Sequence, residues 1–143
     1  MVDWAAIKLH AATIFSREDM TIDPDALKAI KEALLAGGFK ELLAGRNRVA
    51  FLSPSGRNVV KIPLNDYGVA DNSSEAVRWR KERADWYPLA RCRLFCDLLV
   101  VMEVVDRCSL DYGKLPSWVS WVDCGQVGYN RRRKLVAYDY GLT

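Results

Sequence analysis

Apolar residues three and four apart open the chain, where Trp4, Ile7, Ala11 and Ile14 follow Asp3 and predict an amphipathic first helix. A second helix is signalled from Asp23. That residue is placed to cap it, Pro24 suits the first helical position, and Ile22 with Leu27 forms a hydrophobic staple across the entry. Leu27, Ile30, Leu34 and Leu35 supply its buried stripe, and Gly37-Gly38 ends it in a left-handed turn.

From Phe39 the period shifts towards alternation. Val49 to Leu52 and Asn58 to Ile62 flank Ser53-Pro54-Ser55-Gly56-Arg57, which predicts a β-hairpin with a five-residue loop. A loop from Pro63 to Asp71 then leads to a third helix over Ser73 to Trp86, with Asn72 as its cap. Leu94-Phe95 and Leu98 to Val105 read as two further strands, the second so apolar that it belongs inside the sheet. Between Asp106 and Trp121 the pattern gives only a short helix after Pro116. Val127 to Asn130 and Lys134 to Tyr138 predict a last hairpin around Arg131-Arg132-Arg133. These elements define an α+β chain with antiparallel strands and packed helices. With no repeat and no low-complexity linker, residues 1–143 are expected to form a single domain, a helical segment over 1–38 and a sheet-and-helix core over 39–143.

Composition narrows the function classes. Half of the residues are hydrophobic and 27% are charged, enough to bury a core and too apolar for a disordered tail. A net charge of +3 is mild for a nucleic-acid binder. Cys92, Cys96, Cys108 and Cys124 have no paired zinc-ligand spacing, and His10 is the sole histidine, which disfavours both a structural zinc and a Cys-His nucleophile. No signal segment or membrane-length apolar run is present, so a cytoplasmic location with reduced thiols and no membrane partner is expected. Trp79 and Trp86 stand seven apart on the third helix and are expected in the core.

Lys61 on a strand, Glu75 fourteen residues later, the apolar run Leu98 to Val105 containing Met102-Glu103, and Asp139-Tyr140-Gly141 follow one another in order. In that order they resemble the small lobe and nucleotide-site segments of the protein kinase superfamily, over about Phe39 to Thr143, and are similar to small kinase-like proteins of tailed phages. The resemblance implies a kinase small lobe without the large helical lobe, with ATP and magnesium as possible cofactors. It implies that Lys61 contacts phosphates and pairs with Glu75, and that backbone groups of Glu103 and Val105 face an adenine edge. Asp139 would bind the metal, with Asn130 or Gln126 replacing the family's metal-binding asparagine, and Asp123 would be the catalytic base. Each residue also has a plainer explanation. Lys61 can be a solvated strand-end charge, and Glu75 three residues after Asn72 can be half of a capping box.

Departures from the pattern are as informative. Of the glycine-rich loop only Gly45 remains, before Arg46-Asn47-Arg48; arginines there can contact phosphate but cover it poorly. The chain ends at Thr143, so efficient transfer to a protein substrate is not expected. A non-catalytic kinase-like protein that docks on another macromolecule, a host protein if the source is a phage, is the first expectation. A minimal phosphotransferase is the alternative, and a nucleic-acid-binding module the third. Arg131, Arg132, Arg133 and Lys134 are the candidate partner-binding residues, with a solvated hairpin tip as their plain explanation.

Overall fold

The fold is seen in a computed structural model, which describes residues 1–14, 22–42, 44–82, 87–107 and 110–139, without the side chains of Glu82 and Asp123. Helix α1 runs over Trp4–Ala12 and α2 over Pro24–Ala36. Asp3 Oδ1 accepts from the Ala6 N–H at 3.0 Å and Asp23 Oδ1 from the Asp25 N–H at 3.0 Å, so each helix opens on a side-chain cap. Gly38, at φ +91°, turns the chain out of α2, and the Phe39 N–H donates back to the Leu34 carbonyl at 3.0 Å.

Strands β1 (Lys40–Glu41), β2 (Arg48–Leu52), β3 (Asn58–Pro63), β4 (Cys92–Phe95) and β5 (Leu99–Glu103) make one antiparallel sheet in the order β1-β2-β3-β5-β4. Lys61 is therefore on the middle strand, opposite Ala50 of β2 and Val100 of β5. Both faces of the sheet are covered, which is why β5 is apolar throughout: Leu99 and Val101 belong to one apolar cluster, Val100 and Met102 to another. The first cluster holds Ile7, Ile30, Leu34, Phe51 and Ile62, and so packs α1 and α2 on one face. Trp4 adds edge-on ring contacts to Phe39 and Phe95 at 6.0 and 5.2 Å. This is an α+β architecture with one antiparallel sheet and packed helices.

Helix α3 (Asp66–Glu82) starts seven residues before the expected Ser73. Asn65 takes the capping position, its Oδ1 accepting from the Gly68 N–H at 2.9 Å. Asn72, expected to cap, is instead inside the helix and fully buried, its amide donating to the Lys61 and Leu98 carbonyls at 3.0 and 2.9 Å. The capping-box explanation of Glu75 is thereby overturned. The expected continuation to Trp86 lies outside the described residues.

Short 3-10 turns lie at Tyr112–Lys114 and, where a short helix is expected after Pro116, at Ser117–Trp121; another follows at Asp123–Gly125. Strands β6 (Val127–Tyr129) and β7 (Leu135–Ala137) form the last hairpin. It is tied down on both sides. Asp106 and Tyr129 exchange N–H to carbonyl bonds at 2.7 and 2.9 Å, and Ala137 bonds with Pro88 and Ala90 at 2.9 and 2.7 Å. Val127, Val136 and Ala137 join the second apolar cluster, which brings Tyr138 and Asp139 to the face of the sheet that carries Lys61.

Candidate functional site

Side chains alternate along β3, so Lys61 shares a face with Val59, while Val60 and Ile62 enter the core beneath α1 and α2. The Lys61 ammonium lies 2.9 and 3.2 Å from the two carboxylate oxygens of Glu75 and donates to the Tyr138 carbonyl at 2.7 Å. Its three N–H groups thus have three acceptors. Glu75, fully buried on α3, also accepts a bidentate pair from Arg48, Nη1 to Oε1 at 2.7 Å and Nη2 to Oε2 at 3.1 Å. Arg48 reaches further, donating to Asn72 Oδ1 at 3.1 Å and to Asp139 Oδ1 at 2.6 Å. Two cations and two carboxylates from β2, β3, α3 and the segment after β7 close into one network.

Burial would push the Glu75 carboxyl up, but the charges and hydrogen bonds of Lys61 and Arg48 prevail and hold it below the usual range. For Lys61 burial prevails, reinforced by the Arg48 charge, and its ammonium is held below the ordinary lysine value despite Glu75. Burial opposes the Arg48 charge as well, yet Glu75, with Asp139 and Asp71, keeps the guanidinium's pKa raised.

Arg48, Lys61 and Asp139 of this network line a cavity of about 910 Å³. Val49, Ala50, Val59 and Met102 give it apolar walls, and Arg46, Asp71, Arg107 and Gln126 contribute polar groups. Glu103 and Val105 both line it. They differ in what they offer. The Glu103 N–H donates to the Arg91 carbonyl at 2.9 Å, which leaves only its carbonyl to face an adenine edge; the Val105 peptide has no hydrogen-bond partner among the described residues.

Asn130 does not join Asp139. It lines a second cavity, and its Oδ1 accepts from the Arg132 and Lys134 N–H groups at 3.0 Å each, so this amide oxygen caps the hairpin turn. Gln126 and Asn47 are the side-chain amides that share the cavity with Asp139. Asp123 opens its 3-10 turn, but its side chain, like Tyr140 and Gly141 of the Asp-Tyr-Gly segment, lies outside the described residues. Among the described residues no group of three His, Cys, Asp or Glu side chains is arranged to hold a metal. A purine fits the cavity's apolar walls and open peptide. A magnesium ion would compete with Arg48 for Asp139 Oδ1.

Arg131 and Arg132 line the second cavity, of about 490 Å³, together with Arg57 and Arg91. Arg133 instead lies over the Tyr129 ring at 5.2 Å, with Asp106 Oδ2 3.9 Å from its guanidinium. Lys134 is exposed at the end of the turn. The sequence reading missed Arg57 and Arg91, which come from distant segments, and the pairing of Arg48, which was read only as a replacement for loop glycine.

No protein-family model matches the chain, and no curated protein matches it. Among solved structures, the streptomycin-ATP-APH(2")-IIa ternary complex is similar at 17% identity with a TM-score of 0.40, over 68% of this chain and 34% of that one. The chain thus spans about a third of the length of that protein.

Proposed function

We propose that this chain is a kinase-like nucleotide-binding protein whose cleft holds a purine nucleotide and works by binding rather than by phosphoryl transfer. The observation that carries the reading is the position of the buried Lys61–Glu75–Arg48 network at the end of an apolar-walled cavity large enough for a nucleotide. Val59 and Met102 offer flat apolar contact to a base, and the Val105 peptide offers it a donor and an acceptor. Phosphotransfer is the weaker reading, since every N–H of Lys61 already has a protein acceptor and Asp139 is held by arginine.

The test is the melting temperature of the purified protein with and without ATP, GTP and ADP. A nucleotide at about 100 times its dissociation constant adds roughly 2.7 kcal/mol of stability. ATP is expected to raise the melting temperature, and Ala50→Trp, which fills the cavity without touching the charges, to remove the rise while the protein still melts cooperatively. No rise with any nucleotide would sink the reading.

A second reading concerns partners. Arg57, Arg91, Arg131 and Arg132 meet around one concavity that also holds Glu103, whose carboxylate accepts from the Arg91 backbone N–H at 3.1 Å, and none of the four guanidinium groups is ion-paired among the described residues. Such a surface suits an acidic protein partner better than the solvated tip of a hairpin does. It is compatible with nucleotide binding in the other cavity, and Glu103 at the end of β5 lines both.

A further inference from the structure

The two buried cations of the cleft, Lys61 and Arg48, are already bonded to carboxylates of the chain itself. Arg48 is the centre of that arrangement. Its Nη1 serves Asn72 and Glu75, and its Nη2 serves Glu75 and Asp139, so the guanidinium stands where a cation joining Asp139 to a bound phosphate would otherwise be needed. Its side chain is 12% exposed whereas that of Asp139 is 37% exposed, so the arginine is fixed in the wall and the aspartate is the end that can swing away. Glu75 holds Arg48 in place whether or not Asp139 is bonded, through two contacts of its own.

Resting on the nucleotide reading above, we propose that Arg48 takes the place of the divalent metal in this cleft. The phosphates of a metal-free nucleotide displace the Asp139 carboxylate from Arg48 Nη2, and Asp139 is a competing internal anion instead of a metal ligand. Three features agree with this. Asp139 Oδ1 approaches the guanidinium at 2.6 Å, the geometry of a strong charge-assisted hydrogen bond that a phosphate oxygen reproduces without reorganising the arginine. Asn130, the residue best placed in the sequence to share a metal with Asp139, is committed to the β6–β7 turn at the other cavity. Arg46 lies in the same cavity wall as Arg48 and adds a second permanent cation where a nucleotide without metal carries its largest unneutralised charge.

The exchange is a simple one of partners. No bond is made or broken covalently, and the released Asp139 carboxylate is solvated by water at the open side of the cleft. It differs in sign from a metal site at one residue. Where Asp139 binds magnesium, its neutral isostere weakens nucleotide binding; where Asp139 competes with the phosphates, the same change strengthens it.

The experiment is a titration of ATP by calorimetry into the wild-type chain, Asp139→Asn and Arg48→Gln, each in EDTA and in excess magnesium. The wild type is expected to bind equally well, within about threefold, in both conditions, and Asp139→Asn to tighten metal-free binding about three- to fivefold, the scale of a half-exposed ion pair. Arg48→Gln should weaken metal-free binding by about tenfold or more, as the loss of a charged hydrogen-bond donor does. Because that variant also disturbs Glu75, Asp139→Asn is the deciding one. Binding that requires magnesium, or that is lost in Asp139→Asn, overturns the proposal and leaves the nucleotide reading standing. Absence of binding by the folded wild type in both conditions overturns the nucleotide reading and the proposal with it.

Discussion

Glu75 is the residue on which the cleft depends, because it is the shared acceptor of both buried cations. Replacing it with glutamine leaves Lys61 and Arg48 with only the part-exposed Asp139 carboxylate to compensate two buried cations, a change expected to destabilise the protein by about 3–5 kcal/mol. Lys61→Met should cost less, since Glu75 keeps its bidentate partner Arg48. Chemical denaturation of the two variants measures the order, and an equal loss would show that Arg48 does not hold Glu75 as the geometry describes. The pH dependence has a definite sign. Glu75 has a lower pKa folded than its ordinary 4.5, so its contribution is fully present above pH 4.5 and is lost as the pH falls below that and through the folded value. Acid unfolding below pH 4.5 should therefore be shallower in Glu75→Gln than in the wild type.

At the scale of elements, α3 shows what a hydrophobic pattern misses. Its inner face carries Asp71, Asn72 and Glu75, all buried, so the apolar stripe that marks an ordinary amphipathic helix is interrupted by polar residues with buried partners. The sequence accordingly reads as loop through Asp71, and the helix was legible only from Ser73 onwards. Strands β2, β3 and β5 were legible because their alternation or continuous apolar character reports burial directly. The Lys61–Glu75 spacing was visible too, whereas the Arg48 bridge, spanning 91 residues to Asp139, leaves no local signal. Gly68 explains how the pieces fit so closely. A Cβ there would collide with the Asn47 carbonyl oxygen and press on Pro63, so the bare backbone lets the first turn of α3 meet the segment that carries Arg48. Gly68→Ala is expected to cost about 1–3 kcal/mol in thermal or chemical unfolding and to lengthen the Arg48 contacts; wild-type stability in this variant would contradict that packing.

For the whole molecule, the antiparallel sheet separates two jobs. One face is closed by α1 and α2, and the other, together with α3 and the β6–β7 hairpin, shapes the cleft. The hairpin also sets the second cavity, where reversing Arg131 and Arg132 to glutamate should weaken binding to an acidic protein partner and reduce its salt sensitivity without changing the melting temperature. Unchanged capture of such a partner would return these arginines to the solvated tip of a turn. Among the described residues no helix is long and apolar enough to cross a membrane.

The most direct test of the central claim is a crystal structure of the chain grown with a non-hydrolysable ATP analogue in EDTA. The account predicts the base against Val59 and Met102 with an edge on the Val105 peptide, and a phosphate oxygen within hydrogen-bond distance of Arg48 where Asp139 stood. A nucleotide bound elsewhere, or a cleft that stays closed by the Arg48–Asp139 bond at saturating ligand, would contradict it.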